Sequence, residues 1–334
     1  MELGAFVVIP QNPCTRHSNV CEEGRASATA RPMPLWPVVG RNLLQEWIER
    51  IRRIGVQVLS VTHSAKVTCD RLETAWGLAK EGVEQLLVVS LKSYAEIDLV
   101  DFVQFHRERR NSATEAFDPE GPLGVEIVNR PSLASESSAQ YRPPAGIKDA
   151  SKYSFRGYAK RLRSPKVYRD LVSDALLGRC ALTPQGSQIE EHVWIGEQTR
   201  IADSVRFFGP CFVGDGTVLQ DGVSMGPFSS VENECRIDCG TTLEGSSILP
   251  NTFLAAGLSV RHSIVDGPYL EQLDSGTIVD LRAAGLARRF HPRTRTRRDD
   301  DGERQFPTWS QRRHPPTSHE PRGRAAAMIA TDLT

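Results

Sequence analysis

Between Ser187 and Leu258 the chain repeats in sixes. The third residue of every unit is apolar: Ile189, Ile195, Ile201, Phe207, Val213, Leu219, Met225, Val231, Ile237, Leu243, Leu249 and Ala255. The first is mostly small or β-branched, as in Val193, Thr199, Cys211, Thr217, Ser229 and Cys235. A helix turning every ~3.6 residues cannot keep a period of six on one face, and a hairpin strand alternates over only a few residues. The period predicts a β-solenoid of triangular section. Each side is a short strand with its third residue inward and its first beside a tight corner. Gly, Asp and Asn supply the corners. The units make about four coils, about 19 Å tall at the spacing of stacked strands. Cys211 and Cys235 then read as core residues.

The first half carries two other patterns. In "GRNLLQEWIERIRRIG", Leu43, Leu44, Trp47, Ile48, Ile51 and Ile54 share one helical face, and Gly55 stops the helix. Apolar runs at 56–61 (VQVLSV) and 85–91 (QLLVVSL) predict buried strands. Residues 70–81 suit a helix, and residues 98–110 predict one capped by Asp98. Residues 124–129 (GVEIVN) predict a further strand. Strands alternating with helices predict βα units and a mainly parallel sheet, whose ligands bind at the carboxyl ends of strands.

Three segments, in order, carry a resemblance: "RPMPLWPVVGRNLLQEWIERIRRIGV", "LLVVSLKSYAEIDLVDFVQFHRERRNSAT" and "FRGYAKRLRSPKVYRDLVSDALLG". They resemble motifs of the nucleotidyltransferase-type sugar-1-phosphate pyrophosphorylases. The repeat resembles the hexapeptide-repeat left-handed β-helix, which occurs in acyltransferases and as a C-terminal domain of those pyrophosphorylases. The resemblance implies an α/β chain with a truncated Rossmann-like nucleotidyltransferase domain over 1–130. A linker over 131–155 and a helical connector over 156–186 follow. A left-handed parallel β-helix of about four coils occupies 187–258. A cap covers 259–290, and the polar, Arg-rich segment 291–334 is expected to be disordered.

Against the family's motifs the chemical positions are altered. The family cradles triphosphate in a Gly-rich loop of backbone N–H groups. Here the first strand leads into "IPQNPCTRHSN", whose prolines lack that donor. Only Thr15 and Arg16 echo the loop. The resemblance places the phosphate-contacting lysine at Met33. It places the Mg²⁺-binding aspartate, counted back from Asp98, at Lys92, and the second acidic position at Arg161. Two cations do not replace two carboxylates as ligands of a hard dication. Both are expected to face solvent. The short, Ser/Ala/Pro-rich segment 131–155 stands where the family carries its sugar-binding structure.

No residue is assigned a catalytic role, and no metal or cofactor is expected. An active, divergent site would use Mg²⁺ and recruit Asp98, Asp101 or Glu96. An acyltransferase needs a base, usually histidine. His106, His192 and His262 read instead as packing or surface residues. With the hexads unbroken, no loop leaves the solenoid to build an acceptor site. Cys235 and Cys239 lack the further ligands that zinc needs.

Composition changes little. With 41 basic and 41 acidic residues, the chain has no general pull toward nucleic acid or an anionic membrane. Twelve arginines and no lysine fall in 282–334, the place best suited to a polyanion. No run approaches the ~20 apolar residues of a membrane span, and the opening "MELGAFVVIPQNPC", without a basic segment before a long apolar run, is not expected to act as a secretory signal. Scattered cysteines argue against a disulfide framework. The cytoplasm is the expected location. The sequence thus reads as a nucleotidyltransferase-like protein of sugar-nucleotide and surface-polysaccharide metabolism. It is expected to be catalytically inactive, a regulatory or binding subunit. Its expected ligand is a nucleotide sugar or sugar phosphate, and its companion a protein partner or a second copy. The alternatives are an active, divergent sugar-1-phosphate nucleotidyltransferase and a hexapeptide-repeat acyltransferase.

Overall fold

A computed structural model describes residues 2–10, 32–56, 58–64, 83–130 and 151–290. The helix expected at 70–81, Thr15 and Arg16, most of the segment 131–155 and the tail 291–334 lie outside the described residues. The first-half elements are β1 (Glu2–Pro10), β2 (Pro37–Val38), β3 (Arg41–Asn42), α1 (Leu43–Arg53), β4 (Val58–Ser64), β5 (Val83–Ser90) and β6 (Ser93–Ala95). They continue with α2 (Leu99–Glu108), β7 (Ala113–Asp118), β8 (Gly121–Asn129), β9 (Ser151–Ser154), β10 (Ala159–Arg161) and α3 (Pro165–Leu176).

Six strands form one sheet in the order β4-β1-β5-β8-β7-β9. β4, β1 and β5 run parallel, as the alternation of strands and helices predicts. β8 departs from that expectation and runs antiparallel to both β5 and β7. The cause is local. Asp118 Oδ1 accepts from Glu120 N at 2.8 Å and Gly121 N at 3.1 Å, folding a tight turn. A turn that short joins only antiparallel strands.

Helices α1 and α2 cover one face of this sheet. Asn42 caps α1, accepting from Leu44 N at 2.9 Å, and the helix buries Leu43, Trp47 and Ile51. Asp98 caps α2 as expected, and Leu99, Phe102, Val103 and His106 turn inward. They share a core with Ala5, Val7, Leu87, Val89, Val125 and Ile127. His106 is a packing residue. Its Nδ1 meets Thr114 Oγ1 at 2.8 Å and its Nε2 meets Asn129 Oδ1 at 2.9 Å, and burial lowers its pKa.

The second half is rich in parallel sheet, and the chain visits three sheets in rotation. The inward ladder holds Ile195, Val213 and Val231, then Ile201, Leu219 and Ile237, then Phe207, Met225 and Leu243. First-position Thr199, Cys211, Thr217, Ser229, Cys235 and Thr241 are fully buried. Paired residues stand eighteen apart, as in Val193, Cys211 and Ser229. The six-residue phase then slips, against expectation. Ser230 pairs with Ser247, one residue early. The ladder passes to Ile248 and Leu254, not Leu249 and Ala255. Gly245, at φ +55°, turns this corner with one residue fewer, in a left-handed conformation that costs glycine little. The next coil shortens the same corner, pairing Ser247 with Ile264. Parallel stacking continues through Ser259–Arg261 and Ser263–Asp266. Tyr269–Gln272, Thr277–Asp280 and Ala287–Arg289 then add antiparallel strands.

A third core joins the first half to the prism. Tyr168, Leu171, Val172 and Ala175 of α3 cluster with Trp36, Val38 and Val39 from the β2–β3 hairpin and with Phe212, Leu249 and Ile264 from the prism. Leu249 thus packs outward. At the hairpin tip, Glu232 of the prism accepts from Val39 N at 3.1 Å and Gly40 N at 2.8 Å, with no exposure to solvent. Among the described residues, no helix is long and apolar enough to cross a membrane.

Candidate functional site at the carboxyl edge of the sheet

β5 ends at Ser90, and the chain turns through Leu91 and Lys92 into β6. β6 pairs antiparallel with β10, setting Ser93 opposite Arg161. Leu162 N donates to Lys92 O at 2.8 Å. Lys92 and Arg161, far apart in sequence, therefore meet at the carboxyl edge, where open sheets of this kind bind ligands. Met33 lies in a 3₁₀ turn (Met33–Leu35). It is 7% exposed, in the same cluster as Tyr94 and Leu162. Asp98 does not join them. Its carboxylate accepts from Val100 N at 2.8 Å and Asp101 N at 3.3 Å.

Lys92 is exposed, as expected, but Arg161 is not, its side chain being only 10% accessible. Arg161 Nη1 donates to Asp118 Oδ2 at 2.8 Å and to Glu120 Oε2 at 3.2 Å. Nη2 donates to Asp118 Oδ1 and, at 2.9 Å, to Gly121 O. The fork-on-fork geometry is the strong form of this pair. The hydrogen bonds that Arg161 donates to Asp118 hold that carboxyl below its usual range and raise the pKa of Arg161 itself. The guanidinium thus clasps the β7–β8 turn onto β10.

A second group lies on the sheet face opposite α1 and α2. Glu126 stands between Val88 and Glu115 on neighbouring strands, and Glu115 stands opposite Lys152. Burial pushes the Glu126 carboxyl up to about 8; Glu115 adds to this and Lys92 opposes it. Burial also raises Glu115, opposed by Lys152. Nearby, the Ser90 hydroxyl is buried without a partner among the described residues. Gly124 leaves the space, since a Cβ there would lie 3.2 Å from Ser90 Cβ. Together these groups offer hydroxyl acceptors flanked by two cations. The sequence carried one signal of them, a glutamate interrupting the apolar run "GVEIV". Nothing in it marked Asp118 as the partner of Arg161.

These residues do not fit a Mg²⁺ ion. Cations stand at both positions the resemblance assigns to ligands, and Asp118 is committed to Arg161. The three carboxylates named as recruits are also engaged. Asp98 caps α2, Asp101 accepts from the Tyr153 hydroxyl, and Glu96 accepts from Tyr94 Oη at 3.1 Å and from Ala181 N. Among the described residues, no group of three or more His, Cys, Asp or Glu side chains is disposed to hold a metal. His192 and His262 occupy prism corners with positive φ. His262 Nδ1 lies 3.3 Å from Asp274 Oδ2.

No protein-family profile matches the chain. It is 29% identical over 119 residues to "Bifunctional protein GlmU" of Pelobacter propionicus, 34% of this chain and 25% of that protein. The chain thus matches about a quarter of the relative's length. The match supports a nucleotidyltransferase-like relationship at most.

Proposed function

We propose that this chain is a degenerate sugar-1-phosphate nucleotidyltransferase-like protein that binds a nucleotide sugar or sugar phosphate without transferring a nucleotidyl group. In this reading the first domain is a shortened nucleotidyltransferase fold and the prism winds left-handed. The protein serves surface-polysaccharide assembly in the cytoplasm as a regulatory or binding subunit, with a protein partner or a second copy. One observation carries the loss of transfer: Arg161 binds Asp118 where the resemblance requires a metal-binding carboxylate. Met33 supports it, because the position of the phosphate-binding lysine belongs here to the apolar junction with the prism. The exposed Lys92 beside Glu126 and Glu115 suits a phosphorylated, hydroxyl-rich ligand.

The test is a thermal-shift screen of nucleoside triphosphates, nucleotide sugars, sugar phosphates and acyl-CoAs, with and without Mg²⁺, beside a direct transfer assay. A ligand at ~100 times its Kd stabilises by about 2.7 kcal/mol. The expected result is a Mg²⁺-independent shift with a nucleotide sugar or sugar phosphate and no transfer. Mg²⁺-dependent transfer would restore the active-enzyme reading, and a shift with acyl-CoA alone would move the function to the prism.

A further inference from the structure

Two adjoining cavities of about 350 and 230 Å³ lie between α3 and one edge of the prism, the first also lined by Lys160 of β10. They share Asp170, Ser173 and Phe228 and together form one groove in the size range of small-molecule sites. Its floor is the shortened corner. Phe228 at φ +57°, Gly245 at φ +55° and His262 at φ +43° stack there on successive coils. The left-handed conformation is that of the prism's corners, shared by Gln198, Glu234 and Asn251. Gly245 lets the His262 ring pack against the corner, since a Cβ there would lie 2.9 Å from that ring. The Phe228 ring is half-buried and lines both cavities.

A buried charge underlies this floor. Arg169 is 5% exposed and crosses from α3 to the prism. Its Nη1 donates to Ser247 Oγ at 2.6 Å and its Nη2 to the Phe228 carbonyl, both neutral acceptors. Its Nε has no hydrogen-bond partner among the described residues. A buried guanidinium without an ion pair favours an anion nearby. The exposed Lys166 adds a second cation at the rim, and Asp170 a carboxylate acceptor. Of the nearby carboxylates, Asp274 is turned to His262 and Asp174 to Lys160, while Asp170 and the buried Glu232 act on Arg169 through space.

We propose that this groove is a nucleoside-phosphate site. The base stacks on Phe228, Asp170 accepts from ribose hydroxyls, and the phosphate sits between Lys166 and His262. A ring face, a hydroxyl acceptor and a cation in one groove match the base, sugar and phosphate of such a ligand. The proposal does not rest on the sheet-edge reading above.

The experiment is titration calorimetry on the full chain with AMP, GMP, CMP and UMP, and then with the nucleoside and the inorganic phosphate corresponding to the tightest binder. Phe228→Leu and Lys166→Glu are compared after circular dichroism confirms folding. The nucleotide should bind more tightly than either half. Phe228→Leu should weaken it about tenfold, within the range of one stacked base. Lys166→Glu should weaken the nucleotide and leave the nucleoside unchanged. The proposal is overturned if no monophosphate binds with Kd below about 1 mM. It is equally overturned if inorganic phosphate binds as well as the nucleotide, or if neither variant changes affinity.

Discussion

Met33→Lys would carry an ammonium into the cluster that holds Trp36, Tyr94, Leu162 and Tyr168. It is expected to lower stability by about 2–4 kcal/mol, as burial of an unpaired charge does. Transfer is expected to stay at background; urea denaturation and the transfer assay read the two outcomes. Glu126 gives a pH signature. Its folded pKa of about 8 stands above the ordinary 4.5. Between these values the folded chain holds more protons than the unfolded one, so stability falls as pH rises. Glu126→Gln should flatten the urea midpoint between about pH 5 and 8 and stabilise the chain above about pH 8. Glu232, also pushed up to about 8 by burial against its two N–H donors and Arg169, contributes a slope of the same sign, so some slope persists.

Among the elements, the β2–β3 hairpin shows how a distant residue can decide local structure. Val39 at φ +48° and Gly40 at φ +84° form its tip. Glycine suits the second place, but a β-branched residue in the first is strained. Local preference alone therefore does not announce a hairpin in "PVVGR". Its stabilising partner, Glu232, lies 193 residues on. Glu232→Ala removes the acceptors of both N–H groups and should cost about 1–3 kcal/mol. Hydrogen exchange should quicken at Val39 and Gly40 and stay slow in β5. The helices were legible because apolar spacing and a capping residue, Asn42 or Asp98, point the same way. The inward ladder was legible because solenoid sides repeat. The shortened corner was not, since Leu249 and Ala255 are as apolar as Ile248 and Leu254.

Across the whole molecule, the third core ties the first half to the prism. α3 packs on both the β2–β3 hairpin and the prism, and Arg41 reaches Thr183 O at 2.7 Å. The two halves should unfold together, with tryptophan fluorescence and far-ultraviolet circular dichroism giving coincident urea transitions. Two separate transitions would show that the junction contributes little. The candidate site was partly legible at this scale. Motif order brought Lys92 and Arg161 to one edge. Their carboxylate neighbours come from the direction of β8, which the tight turn reverses and which apolar runs do not encode.

The shortened corner has a consequence for how this chain can change. A solenoid is read like a text in frames, and Gly245 is a tolerated frameshift. The downstream letters already sit one place early, so the same residue types still meet the core. Gain or loss of a residue at a corner can therefore be absorbed where it occurs. The same change inside a side, beside Leu243, would turn that strand's apolar residues outward. Length variation in descendants of this chain should collect at the corners, along the edge that already carries Phe228 and His262.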